Sequence, residues 1–283
     1  MRHLHAARRQ QVDVGRGAEC PVCAYQVGAE PALPLEVFRG CGSVLRADRA
    51  DLDRWFFLRY RDPQHHVRLR LRAKDGSASE LVARLSALLE PLLRDGTLRR
   101  YAFDTYQPEF ERYGGIAAQT SVQRLFRRDS ERVLEALRFP AQAGDRVRLA
   151  LRSVAPFTAA WFAMAPAKPW LDYHSAEARA EKDATDYALV RELDGWLGEA
   201  DGRHDATEAA AIADLLALER SGALTQPASA VFSAIVHMHF NRIGIAYDDE
   251  PAVRAHLWRA VYGRSARARA AGAGERSPVE ALR

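Results

Sequence analysis

Residue types and spacing suited to acid–base and anion chemistry recur in this chain. In Trp55–Arg72, WFFLRYRDPQHHVRLRLR, the second half carries an arginine at every other position. Side chains on a strand alternate between faces, so Val67, Leu69 and Leu71 share one face and His66, Arg68, Arg70 and Arg72 the other. Cations in such a row repel each other unless something anionic lies across them. Guanidinium forks grip carboxylates and phosphates through paired hydrogen bonds, so the anion could be protein carboxylate, nucleic acid or a small acidic substrate. A salt-bridged or solvated face satisfies the pattern equally. A second set is Tyr106-Gln-Pro108-Glu109-Phe-Glu-Arg112-Tyr113-Gly114-Gly115. A helical turn opened by Pro108 puts Glu109 and Arg112 on one side, as part of a site or as a plain surface ion pair. The double glycine lets the backbone reverse or approach a ligand closely. A third set is Ser233-Ala-Ile-Val-His237-Met-His239-Phe-Asn241-Arg242. On a helix, Ser233, His237 and Asn241 stack into one polar stripe. Histidine transfers protons near neutral pH, and Ser233 and Asn241 are spaced to fix its tautomer. A satisfied core histidine has the same pattern, and His239, on a different face, is the competing candidate.

The elements that must position these residues are legible as periods and breaks. Trp55–Arg72 reads as two short strands joined at Asp62-Pro63. Ser77 or Ser79 then caps a helix with Leu81, Leu85, Leu88, Leu89 and Leu92 in helical period, ended at Asp95-Gly96. Thr97–Tyr106 reads as a third strand. Strand, strand, helix, strand implies an α/β layer. From Ile116 onward helices dominate, over 117–138, 145–164, 176–198, 206–221, 228–243 and 251–262. The fold class expected is therefore α+β: a mostly antiparallel N-terminal sheet with covering helices, then a largely helical C-terminal half. Residues 1–34 read as an irregular segment, although Leu35–Phe38 could be a strand. Residues 263–283 read as a disordered tail, for lack of large apolar residues.

Composition sets the outer bounds. The chain has 283 residues, 48% hydrophobic and 28% charged, with a formal net charge of +4, as in an ordinary globular protein. That charge is low for a nucleic-acid binder, and no such motif appears. Cys20, Cys23 and Cys41 are an odd number, which gives no disulfide framework. Cys20-Pro-Val-Cys23 has metal-ligand spacing, but a closed zinc site needs four ligands, and recruiting Cys41, His3 or His5 is not demanded by spacing. No metal or cofactor is expected. The N-terminus lacks the apolar segment of a signal peptide, and the run from Val154 to Ala167 is too short to span a bilayer, so a cytoplasmic protein without membrane contact is expected.

Taken together, HVRLRLR, Tyr-x-Pro-Glu-x-x-Arg-Tyr-Gly-Gly, Phe126-x-x-Asp129-Ser130 and His-Met-x-x-Asn-Arg resemble the small C-terminal domain of lantibiotic dehydratases. Stand-alone members form the thiopeptide-type bacteriocin biosynthesis family. The resemblance runs from about Leu35 to Tyr262. It implies that a partner domain esterifies Ser or Thr of a ribosomal precursor peptide with glutamate from glutamyl-tRNA, and that this domain eliminates the glutamate to leave dehydroalanine or dehydrobutyrine. It places the glutamate-binding and catalytic roles on Arg68, Arg70 and Arg112, with Glu109 orienting them or meeting the ester's ammonium. His237 takes the acid/base role, and Tyr113 and Asn241 join the substrate-binding set. Since this chain shows no large glutamylation domain, the ester is expected from a separate glutamyl-tRNA-dependent protein, with no direct nucleic-acid contact here. A homodimer is compatible with these features. Some stand-alone relatives are instead pyridine synthases, which join two dehydroalanines by formal [4+2] cycloaddition and expel the leader peptide. They have no glutamate to bind, so the arginines and Glu-x-x-Arg turn favour elimination. A non-catalytic scaffold or a nucleic-acid module is the remaining alternative.

Overall fold

The computed structural model describes residues 19–26, 52–61, 64–73, 78–104, 106, 108–138, 145–202 and 205–274. The chain divides into two compact units, Met1–Gln107 and Pro108–Arg283. The expected Asp62-Pro63 turn, the Leu35–Phe38 strand, the cap at Ser77, residues His3, His5 and Cys41, and the last nine positions lie outside the described residues.

Among the described residues the first unit is an antiparallel four-stranded sheet with one helix. Strands β1 (Glu19–Gln26), β2 (Leu52–Tyr60), β3 (His66–Ala73) and β4 (Leu98–Phe103) lie in the order β2-β3-β1-β4. The arginine strand β3 pairs with β2 on one side and β1 on the other. Its alternation sets the core: Val67, Leu69 and Leu71 are buried together with Trp55 and Phe57 of β2. Helix α1 (Ala78–Arg94) packs beside β4 and buries Leu81, Leu85 and Leu89, one residue per turn. It stops where Gly96 takes a left-handed conformation and Asp95 accepts from the Thr97 N–H. Glu19–Gln26, expected to be irregular, is a strand between β3 and β4. Pro21 cannot donate to a ladder. It lies in the part of β1 that pairs with β3 alone, before pairing to β4 begins at Val22, which is how a proline fits an inner strand.

The second unit is helical: α2 (Gln119–Ala136), α3 (Asp145–Met164), α4 (Lys168–Tyr173), α5 (Ser175–Ala180), α6 (Tyr187–Ala200), α7 (Ala206–Arg220), α8 (Ala228–Ile243) and α9 (Glu250–Gly274). Helix α8 packs against α2, α3, α4 and α7. Its Phe232 ring sits 4.9–5.5 Å from the rings of Phe157, Trp161, Phe162 and Trp170, and each such buried side chain stabilises by roughly 1.5–3 kcal/mol. Two boundaries differ from expectation. The helix anticipated over 176–198 is two helices, because Thr185 bonds back to the Glu181 carbonyl and Asp186 caps α6 by accepting from Ala188 and Leu189 N–H. The tail expected to be disordered from 263 is helical through Gly274. Alanine and arginine are strong helix formers, and Arg264 and Arg267 tie this extension to Asp194 and Asp201 of and after α6. The architecture is α+β. Among the described residues no helix is long and apolar enough to cross a membrane.

Candidate active site

Helix α8 puts its two histidines into different surroundings. Adjacent helical residues are about 100° apart, so His237 and His239 diverge by about 200°. His239 is fully buried; its Nδ1–H donates to Asp129 Oδ1 at 2.6 Å, and Nε2 meets Ser153 Oγ at 2.9 Å and the Ala150 carbonyl at 3.1 Å. Asp129 also accepts from Arg242 at 2.7 Å. Burial opposes ionisation of Asp129, but His239, Arg242 and Arg132 overcome it and hold the carboxyl below the usual aspartate range. The Phe126-x-x-Asp129-Ser130 motif is thereby an internal brace joining α2 to α8.

His237 instead lines a cavity of about 710 Å³ in the second unit. Its side chain is 22% exposed, and Nδ1–H donates to Glu250 Oε2 at 2.6 Å. Glu250 also pairs with Arg254. Burial favours the neutral form of Glu250, yet the His237 hydrogen bond and the Arg254 charge outweigh it and lower the carboxyl below the ordinary glutamate value. Arg254 reaches on to Ser233 Oγ at 3.1 Å, Ser233 bonds His174 Nε2 at 2.6 Å, and His174 Nδ1–H donates to Glu177 at 2.8 Å. The wall is thus one hydrogen-bonded chain from Glu177 to His237. Burial first, then the Arg254 charge, lowers the His174 pKa against the pull of Glu177 and Glu250. Tyr173 and Tyr247, both more than three-quarters exposed, also line the cavity.

Arg112 lines the same cavity, and Glu109 holds it at 3.4 Å with both side chains about half exposed. The turn between them closes on glycines with φ of +87° and +92°. A Cβ on Gly115 would stand 2.8 Å from Thr225 Cγ2, and one on Gly114 3.0 Å from Leu224, so the close approach of the 224–225 segment requires both glycines. Tyr113 is buried edge-on against Phe126 and lies outside the cavity lining. Asn241 is half-buried and also outside it. The polar stripe read from sequence therefore splits: Ser233 and His237 reach the cavity, and the group fixing the His237 tautomer is Glu250, not Ser233 or Asn241.

In the first unit, Arg68 and Arg70 lie on one face of β3 as the alternation predicts. Their cross-strand partners are Leu58 and Phe56. Arg68 lies over the Tyr60 ring at 3.7 Å and donates from Nε to His66 Nε2. Arg70 is only 8% exposed and lies over the Tyr106 ring at 4.6 Å, and among the described residues its buried Nε has no hydrogen-bond partner. Among the described residues, aromatic rings rather than carboxylates thus support both guanidinium groups, which leaves their forks suited to an added anion. The Cys20-x-x-Cys23 pair falls on β1, and among the described residues no cluster of His, Cys, Asp and Glu could hold a metal ion.

Sequence reasoning passed over His174, Glu177, Glu250 and Arg254. His174 and Glu177 are three apart, a spacing compatible with pairing across a helix end. Glu250 and Arg254 are four apart, the usual helical ion-pair spacing. Neither spacing says that the pair faces α8, because that depends on tertiary packing.

Comparison with known proteins agrees with this arrangement of motifs. A family profile described as lantibiotic biosynthesis dehydratase C-term matches residues 36–262. The subtilin biosynthesis protein SpaB of Bacillus subtilis is 37% identical over 78 residues, 28% of this chain and 8% of SpaB. The tRNA-dependent lantibiotic dehydratase MibB from Microbispora sp. 107891 shares the fold with a TM-score of 0.65 at 22% identity, over 92% of this chain and 29% of MibB. The pyridine synthase TbtD from thiomuracin biosynthesis gives 0.62 at 15% identity, over 88% of this chain and 99% of TbtD. TsrL gives 0.54 at 15%, over 86% and 94%. The chain thus spans less than a third of the length of SpaB and MibB.

Proposed function

The chain belongs to the lantibiotic biosynthesis dehydratase C-terminal family, and from that premise we propose that it eliminates glutamate from glutamylated Ser or Thr of a ribosomal precursor peptide. The observation that carries the reading is His237, held by Glu250 in a cavity that also presents Arg254 and Arg112. Elimination needs a base for the α-proton and cations where negative charge develops. In the proposed step His237 Nε2 takes the proton from Cα. The electron pair forms Cα=Cβ, the Cβ–O bond breaks, and glutamate leaves as a carboxylate. Arg112 stabilises the charge, with Glu109 orienting it and Tyr113 packed beneath. Arg68 and Arg70 recognise carboxylate from the face of β3, and Asn241 supports α8 beside His237. The proposed partners are the precursor peptide and a separate glutamyl-tRNA-dependent glutamylation protein.

The test supplies a glutamylated precursor to the protein and follows peptide mass. Loss of glutamyl groups with formation of dehydrated residues is expected. Unchanged adducts in the presence of folded protein reject the reading. A second reading, cycloaddition of two dehydroalanines with leader release, draws on the fold likeness to TbtD over nearly its whole length. A pre-dehydrated peptide that yields a pyridine and free leader selects it.

A further inference from the structure

We propose that Ser233, His174 and Glu177 form a second catalytic set in this cavity, a nucleophile, base and orienting carboxylate that hydrolyse an acyl ester on the bound peptide. The identity of that ester, a glutamyl group on Ser or Thr, rests on the reading above; the triad itself rests on geometry. Ser233 Oγ lies 2.6 Å from His174 Nε2, and His174 Nδ1 lies 2.8 Å from Glu177 Oε2. With the ring neutral, the form that burial and Arg254 favour, one proton assignment satisfies both contacts. Glu177 accepts Nδ1–H, so Nε2 is a bare acceptor and the Ser233 hydroxyl must donate to it. Arg254 then donates to Oγ at 3.1 Å, as it would to a developing alkoxide. This is the order in which a serine is activated, recognised by roles and distances rather than by chain position.

The arrangement is not that of an ordinary helical serine. Ser130 on α2 bonds back to the Phe126 carbonyl one turn earlier, the usual outlet for a hydroxyl in a helix. Ser233 instead reaches across to α4–α5 while lining the cavity. The ring of His174 is fixed between Trp170 and Tyr173, at 5.2 and 4.8 Å. Elimination of a carboxylate uses one base, and His237 with its own partner Glu250 supplies it, so the second histidine–carboxylate pair is left for another reaction.

In that reaction Ser233 Oγ attacks the ester carbonyl as its proton passes to His174. The carbonyl–oxygen bond to the peptide side chain breaks, and His174 returns the proton to the departing hydroxyl. Water then attacks the glutamyl-serine by the same route, releasing glutamic acid and restoring Ser233. The net change is ester plus water to acid plus hydroxyl. Arg254, which already donates to Ser233 Oγ, supplies a cation for the charge on the carbonyl oxygen. The cavity therefore divides a bound ester between dehydration through His237 and return to the unmodified peptide through Ser233.

The experiment treats the intact protein with a fluorophosphonate and locates the adduct by peptide mass mapping. A single adduct on Ser233 is expected, formed about 10²–10⁴-fold more slowly in His174→Gln. In the wild-type protein the labelling rate should rise with pH as His174 loses its proton, with its midpoint below 6.5 because burial and Arg254 outweigh Glu177 and Glu250, the charged groups that face it. Absence of a Ser233 adduct on folded protein, or an equal rate in His174→Gln, overturns the triad. Labelling needs no glutamylated peptide, so it stands or falls apart from the elimination reading. A synthetic O-glutamyl serine peptide completes the test. Restored hydroxyl peptide and free glutamate should form with the wild-type protein and fall to the protein-free rate with Ser233→Ala; equal formation with that variant overturns the hydrolase.

Discussion

The two histidines of helix α8 sit in clusters of the same three chemical groups, one on each of two faces. On one, His239 meets Asp129, which also takes Arg242; on the other, His237 meets Glu250, which also takes Arg254. In the first cluster His239 is held at both nitrogens and Arg242 is wholly enclosed under Phe126. In the second, His237 is fixed at Nδ1 and borders the cavity, as does Arg254. Residue type and pairing do not separate an internal brace from a cluster that lines a cavity. The separation lies in whether a held group keeps an atom open to something arriving.

The sharpest way to break this comparison is to remove each carboxylate. Asp129→Ala leaves His239 and Arg242 without their shared partner and should lower unfolding free energy by about 3–5 kcal/mol, the usual cost of opening a buried charge pair. Glu250→Ala lets His237 and Arg254 turn toward the cavity and should cost about 1–3 kcal/mol. Denaturant titration measures both, and equal losses would erase the distinction. Exchanging the histidines reads the same contrast through activity. His237→Ala should slow elimination about 10²–10⁴-fold with a native-like spectrum and nearly unchanged unfolding. His239→Ala should instead lower stability and leave elimination per folded molecule intact. The reverse result would mean that α8 presents its other face to substrate.

The arginines of β3 extend the comparison to the first unit. Arg242 has a carboxylate, whereas among the described residues the buried Arg70 has a ring and no hydrogen-bond partner for its Nε. Arg70→Ala should cost about 2 kcal/mol of stability, the range of a desolvated cation–π contact, yet leave glutamylated peptide unprocessed. Arg70→Lys should recover little, because a point charge does not reproduce a bidentate fork. Full turnover by Arg70→Ala would return β3 to a purely structural role. Acid titration compares the clusters more gently. Both carboxyls have lowered pKa values, so their stabilisation is present above the ordinary values of 3.8 for aspartate and 4.5 for glutamate and is lost as pH falls. His174, also lowered, adds a loss beginning as pH falls below 6.5, where the unfolded chain gains a proton that the folded chain resists. Unfolding free energy measured from pH 7 downward should show that first decline, and His174→Gln should remove it.

Much of this was legible in the chain because it is periodic. The alternation HVRLRLR gave β3 both its faces, and the run Ala228–Ile243 is helical over the whole span expected. What escaped is non-local. Glu19–Gln26 has no alternating apolar pattern and contains Pro21, so only its neighbours β3 and β4 make it a strand. Glu250 lies thirteen residues from His237 across a turn, and His174 is fifty-nine from Ser233. No local period links those positions, so Ser233 and Asn241, the neighbours one turn away on the helix, looked like the partners of His237.

The smallest effect on stability is expected at Glu109, and it tests where the open cluster ends. Its contact with Arg112 is 3.4 Å long and both side chains are about half exposed. Exposed pairs of this kind contribute about 0.2–1 kcal/mol, so Glu109→Gln should shift the unfolding midpoint barely beyond error. If Glu109 only decorates the surface, elimination should be equally indifferent. If it aims Arg112 into the cavity or meets the ester's ammonium, turnover should fall well beyond what the stability change explains. A glutamine keeps the length and a hydrogen-bond acceptor but not the charge. Orientation by hydrogen bonding would therefore survive in part, whereas attraction for an ammonium would be lost and appear as a raised KM. A substrate whose glutamyl amine is acetylated removes that ammonium. If the wild-type protein then behaves like Glu109→Gln, Glu109 acts on the substrate; if the two differ, it acts through Arg112.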